Sequence, residues 1–265
     1  MSGLATAWRA EWAKALAARD WLTWGLGIFV TATGVSALMG SLILSLAADD
    51  VSGTMHGQYA AQSVYASPLV LCYLMALAVG INVYARERRQ ASLPMAMLIT
   101  PKRIHVILAK YALGLALGAW YGVAYVAGVL IGGGGTLLAH GQVAILTVPV
   151  IRTLAVIISL LALWCFFGVG LGMCLSVMPA LLTGFTLALV FPAATSPLLS
   201  SSSWGRKIIT LFPGVATNLS TDPEIGEFGV AWLPWWGSYA VLVLWVLITA
   251  LLGARIVLNA DIEVD

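Results

Sequence analysis

The chain has 265 residues, of which 61% are hydrophobic and 9% charged, with thirteen Lys and Arg against eleven Asp and Glu for a formal charge of +2. A mean hydropathy of +0.97 excludes a water-soluble globular domain, in which about a quarter of residues are charged. The composition predicts an all-α polytopic membrane protein, with no nucleic-acid partner.

Leu4, Trp8, Trp12 and Leu16 recur every four residues and form one apolar stripe, while Arg9, Glu11, Lys14 and Arg19 mostly occupy the other faces. This pattern predicts an interfacial amphipathic helix over 1–20, lying flat on the membrane with its tryptophans at headgroup depth. The alternative is a plain extension of the first span. Six apolar runs follow, at 21–47, 64–84, 105–131, 145–177, 181–199 and 236–257, each long enough to cross a hydrocarbon core of about 30 Å as a helix. The first is too long for a signal-peptide core of about 7 to 15 residues, so it reads as a retained helix. Pro149 marks a kink or entry point near the start of the fourth. Met178-Pro179-Ala180 predicts a tight turn dividing the fourth from the fifth.

Ten of the thirteen cationic residues fall on one side of this arrangement: Arg9, Lys14 and Arg19, six between 86 and 110, and Arg255. The Lys/Arg bias of short loops then places both termini in the cytoplasm; the expected location is the cell's inner (plasma) membrane. Residues 48–62 and 132–144 are read as external loops. Between spans five and six, residues 195–235 contain Ile208 to Phe212, too short to span and halted by Pro213-Gly214, which predicts short re-entrant helices.

The 86–110 connection has its own grammar. Arg86, Glu87, Arg88 and Arg89 carry the second helix out of the bilayer. Ser92 can cap a new short helix with Pro94 in its first turn, followed by Met95, Met97, Leu98 and Ile99. Thr100-Pro101 ends it, and Thr100 can cap the span that bears Lys102, Arg103 and Lys110. An apolar knob flanked by arginines suits docking into a partner's groove, whereas a basic loop alone would report only orientation.

Other chemistry is sparse. The glycine run Gly132 to Gly135 has no following Lys and is assigned to a loop, so no phosphate-binding motif is present. His56, His105 and His140 have no ligand-spaced partners, and no metal site or catalytic set is seen. Cys72, Cys165 and Cys174 lie inside apolar spans. Asn218-Leu219-Ser220 is a glycosylation sequon that matters only in a secretory setting. Arg152, near the outer end of span four, is either a snorkelling anchor or a pathway residue. Ser36, Ser41, Asn82, Tyr121 and Tyr125 are candidates to face a substrate pathway or to bond between helices. Gly114, Gly118 and Gly122, with Gly168 and Gly172, recur every four residues and predict close helix contacts in the bundle or in a dimer seam.

The order of elements resembles the permease subunit of ABC-2 type ATP-binding cassette transporters. So does the local text Arg86-Glu87-Arg88-Arg89-Gln90-Ala91-Ser92-Leu93, Leu98-Ile99-Thr100-Pro101-Lys102-Arg103 and Ala109-Lys110, although Ala91 stands where the family often has Gly and no second acid follows Leu93. The resemblance implies a single permease domain over 1–265, with a cytoplasmic coupling loop at 86–104. It implies that Pro94 to Ile99 forms a coupling helix seated in a nucleotide-binding subunit, with Glu87, Arg88, Ser92, Pro94, Met97, Leu98, Thr100 and Pro101 as the coupling residues. It further implies that ATP and Mg are held by that separate ATPase, that this chain carries no cofactor and is not itself an enzyme, and that a second copy or a paralogous permease completes the pathway among membrane lipids. The expected activity is export of a hydrophobic or amphiphilic substrate such as a lipid, drug or peptide. An ion-coupled secondary transporter is the alternative, though the spans hold no Asp or Glu to carry an ion; an intramembrane enzyme is a further one.

Overall fold

The computed structural model describes residues 3–48, 57–89, 103–141, 146–199, 201–221 and 233–259. All regular structure among them is helical. We number the helices α1 (Gly3–Ala18), α2 (Asp20–Ala48), α3 (Gly57–Ala66), α4 (Leu69–Arg89), α5 (Arg103–Ala139) and α6 (Val148–Cys174). Then come α7 (Val177–Leu199), α8 (Ser203–Ile209), α9 (Pro213–Thr221) and α10 (Trp235–Asn259). Six stretches are long and apolar enough to cross a membrane, at Asp20–Ser45, Ala60–Ala85, Arg103–Ala139, Val148–Cys174, Val177–Leu199 and Trp235–Asn259. All six predicted spans are therefore helices of spanning length, with shifted edges.

The edges shift for local reasons. The second span is broken at Ser67-Pro68, because Pro68 offers no N–H and a new helix restarts at Leu69, whose ladder is joined when Cys72 N–H donates to the Pro68 carbonyl. The predicted turn at Met178-Pro179-Ala180 lies instead at Leu175-Ser176, and Pro179 sits in the first turn of α7, where a missing N–H costs nothing. Gly132 to Gly135 is helix, not loop: α5 runs on to Ala139. Each glycine there costs a helix up to about 1 kcal/mol, but three of the four are buried in contact surfaces. A Cβ at Gly132 would strike the Thr33 carbonyl, and one at Gly133 would press on Val64 and Tyr65.

The core is built on α6, whose Trp164, Phe167, Ile157 and Leu160 are fully buried. Gly168 and Gly172 face α4, where a Cβ would meet the backbone of Leu77, Gly80 and Ile81, and Gly170 faces Thr249 and Ala250 of α10. From the other side Gly114, Gly118 and Gly122 of α5 lie on Val169, Leu161, Ala162 and Ile158 of α6. The predicted glycine ribbons thus form seams inside this bundle. Tyr73 stacks on Trp164 at 4.3 Å between ring centroids, filling the space beside the α4–α6 seam.

Helix α7 widens into a π-turn at Thr186–Val190. Pro192 explains it: with no N–H it cannot bond the Ala188 carbonyl, and its ring crowds that position. The Phe191 N–H accordingly donates to the Thr186 carbonyl, five residues back. Gly214 of α9 lies against the Ala188 carbonyl, where no Cβ would fit. Helix α9 is buried over most of its length against α6, α7 and α10, so Asn218 of the sequon lies in a packed helix and not in a loop.

Replacing Gly168 by Val is expected to lower stability by about 1–3 kcal/mol or more, the usual cost of overpacking. Gly34→Ala, at an exposed position with nothing within 4 Å of the new Cβ, is expected to be neutral or to stabilise by up to about 1 kcal/mol. Thermal unfolding of the detergent-solubilised protein, followed by tryptophan fluorescence, measures both.

Candidate functional site at the base of the bundle

Two of the described helices border segment 90–102, which lies outside the described residues: α4 arrives at Arg89 and α5 departs from Arg103. Tyr84 of α4, Ile107 and Tyr111 of α5, Val169 and Met173 of α6 and Val257 of α10 form one buried cluster at this end. Tyr111 stacks on Phe166 at 4.5 Å, and its hydroxyl donates to the Ala250 carbonyl at 3.0 Å. Arg103 donates to the Leu258 carbonyl at 3.3 Å, tying the first turn of α5 to the last turn of α10. Cations belong at a helix C-terminus, where the unpaired carbonyls concentrate partial negative charge.

A buried ion pair completes this base. Glu11 of α1 is 5% exposed and Lys110 of α5 is 1% exposed; Lys110 Nζ lies 3.0 Å from Glu11 Oε2. Lys14 Nζ, half exposed, holds the other carboxylate oxygen at 2.8 Å. One carboxylate therefore joins two ammonium groups, one inside the bundle and one at its edge. The sequence pattern put Glu11 on a solvated face, and the structure turns it inward.

The buried face of α1 is Ala7 and Glu11 with half-buried Ala15, at four-residue spacing, while Trp12 and Leu16 of the predicted stripe remain exposed and Trp8 is half-buried. Small residues let the helix backbones approach. Glu11 meets Lys110, and ten residues further along the chain in each case the Trp120 indole N–H of α5 donates to the carbonyl of Trp21, in the first turn of α2, at 3.2 Å. Ten residues of α5 advance about 15 Å, so from Glu11 the chain runs beside α5 in the same direction, away from the base. Between α1 and α2 the chain bends at Arg19, the one described non-glycine residue with a left-handed backbone, φ 55°.

The predicted coupling residues Glu87 and Arg88 occupy the last turn of α4, and their side chains lie outside the described residues. Ser92, Pro94, Met97, Leu98, Thr100 and Pro101 lie outside them entirely. The pathway candidates do not converge. Ser36 is buried at the α2–α5 seam and donates to the Thr33 carbonyl, and Ser41 is exposed and donates to the Leu38 carbonyl. Asn82 donates within its own helix, to the Ala78 carbonyl. Tyr125 is fully buried and donates to the Tyr65 carbonyl at 2.7 Å, while the buried Tyr121 hydroxyl has no hydrogen-bond partner among the described residues. Arg152 is exposed on α6 with its guanidinium 5.4 Å from the centroid of the Trp235 ring, a cation–π contact suited to an aromatic belt.

A polar chain that the sequence reading missed runs through the far half of the bundle. Gln62 donates to Thr153 Oγ1 at 3.2 Å, Thr153 donates to the Thr221 carbonyl, and Trp164 Nε1 donates to Thr217 Oγ1 at 2.9 Å. It pins α9 against α3 and α6. Among the described residues no group of three His, Cys, Asp or Glu could hold a metal ion. No protein-family model and no curated protein sequence matches the chain.

Glu11→Ala removes the carboxylate shared by both lysines and leaves the buried Lys110 ammonium without it, which is expected to cost about 3–5 kcal/mol. The double variant Glu11→Leu with Lys110→Met is expected to recover most of that. A double-mutant cycle on unfolding in detergent checks it, with a coupling of about 0.5–3 kcal/mol anticipated for groups in contact.

Proposed function

We propose that this chain is the membrane subunit of an ABC-2 type exporter, moving a hydrophobic or amphiphilic substrate with energy from a separate ATPase that binds ATP and Mg. The observation that carries the reading is the base of the bundle. The Glu11–Lys110 pair, the Tyr84–Tyr111 cluster and the Arg103–Leu258 bond fix α1, α4, α5, α6 and α10 together at the two edges of segment 90–102. A docking element carried by that segment would meet a block of five helices and not a loose loop. Motion of a partner would then reach the spans through packed side chains.

In this reading the base faces the cytoplasm with both termini, in the inner (plasma) membrane, and α1 borders the membrane surface. Segment 90–102 supplies the coupling helix, with Met97 and Leu98 as its apolar contacts and Glu87 and Arg88 at its root. The short helices α8 and α9 re-enter from the opposite side. The exposed apolar faces of α2, α7 and α10, which include Leu26, Leu182 and Leu251, meet lipid and a second permease subunit.

Purification from the native membrane is expected to bring a Walker-motif ATPase with the chain, and Met97→Asp with Leu98→Asp is expected to lose it while the bundle still unfolds cooperatively. Transport that persists with no ATPase present and stops when the ion gradient is collapsed would overturn the reading in favour of a secondary transporter.

A further inference from the structure

In the crook between α1 and α5, Trp12, Ala15, Leu16, Trp21, Leu117 and Trp120 line a cavity of about 180 Å³. Its walls are apolar throughout. The one indole N–H that could have made a polar wall on α5, that of Trp120, is spent on the Trp21 carbonyl, and Trp12 is stacked on Trp8 at 5.6 Å. The space equals the volume of about six waters, yet a stable buried water needs about two to four polar partners, and none line the site. Trp12, Leu16 and Trp120 are respectively 37%, 45% and 44% exposed, so the cavity opens outward on the side of the bundle.

In the sequence, arginines stand on both sides of the α1 residues that line it. Arg9, Trp12 and Leu16 stand at helical spacings i, i+3 and i+7, on one face of α1, and Arg19 forms the turn that follows. Both arginines are exposed, and neither is part of the Glu11 ion pairs. A groove that accepts only hydrocarbon, with an arginine suited to bidentate phosphate contacts on the same face of α1, fits an amphiphile with an apolar tail and an anionic head.

From this we infer that the α1–α5 crook is a binding site for one anionic phospholipid of the surrounding bilayer, its acyl chain against the three tryptophans and its phosphate at Arg9, on the same face of α1 as Trp12 and Leu16. The lipid wedges the space left by the bend at Arg19 and so holds α1 against α5 beside the Glu11–Lys110 pair. This site stands independently of any ATPase partner.

The test uses the full chain in phosphatidylcholine vesicles containing a small fraction of phosphatidylglycerol with a diazirine in its acyl chain, followed by irradiation and mapping of the labelled residues. Labelling is expected to concentrate on Trp12, Leu16 and Leu117 over the lipid-facing Leu247 and Leu251 of α10. Ala15→Phe, which fills the cavity, is expected to cut that labelling roughly tenfold while labelling of α10 stays unchanged, showing an intact bundle. Arg9→Gln is expected to erase the preference for the phosphatidylglycerol probe over the same probe on phosphatidylcholine. Equal labelling of α10 and the crook, or no preference between the two headgroups in the unaltered chain, overturns the proposal.

Discussion

In a bilayer, helices gain almost nothing by hiding leucine from lipid, because lipid tails are as apolar as leucine itself. What holds a bundle together is how closely backbones approach and how well the gaps beside them are filled. Helix α6 meets that constraint with three glycines in five residues. Gly168 and Gly172 fall on one side against α4, and Gly170 falls on another against α10. The α5 glycines press on a third side. A helix approached at backbone distance on three sides has little room to tilt, and Trp164 and Phe167, both fully buried, fill the wedges left between the seams.

The backbone irregularities sit around this rigid centre, not in it. Pro68 interrupts the second span, Pro192 opens the π-turn of α7, and Arg19 bends the chain between α1 and α2. Each frees or redirects a backbone group, and at depth in a membrane such groups must be met by protein. Close packing of α9 on the widened turn of α7, permitted by Gly214, shields the Ala188 carbonyl from lipid. The Trp164–Thr217 hydrogen bond fastens the same short helix to α6. The parts able to rearrange without unzipping a glycine seam are therefore α1, α7 and the α8–α9 segment, each joined to the centre by side chains more than by backbone contact.

The six spans were legible because apolar runs of spanning length leave few structural options, and the glycine ribbons because four-residue spacing repeats one helix face. What the patterns left out was the side of each helix that meets protein. In α1 the apolar stripe of Leu4, Trp8, Trp12 and Leu16 was read as the side that meets the membrane, and Trp12 and Leu16 are exposed, but that pattern did not mark Ala7 and Glu11 as the residues buried on α5. Next to lipid the large residues can face outward and the small ones meet protein. Gly132 to Gly135 were read as a loop, although their small size is what α2 and α3 need in order to approach α5. The pairing of Glu11 with Lys110 joins residues 99 apart, and no local pattern marks it. One signal was available: a lone acid aligned with alanines at four-residue spacing. The polar chain of Gln62, Thr153 and Thr221 was hidden because it crosses three helices whose adjacency composition does not reveal.

Burying both Glu11 and Lys110 is not an efficient way to gain stability, since desolvating two ions costs several kcal/mol each and an apolar pair of similar volume often does as well. Its distinct effect is on register. An apolar seam of alanine against alanine can slip by a turn with small loss, whereas a slip of α1 by one turn, about 5.4 Å, would strand both charges in a low-dielectric setting. The carboxylate's second bond, to half-exposed Lys14, places this registration point at the edge of the bundle. A change in local charge can reach it there. The ion pair thus defines one position of α1 on α5 sharply and makes neighbouring positions expensive.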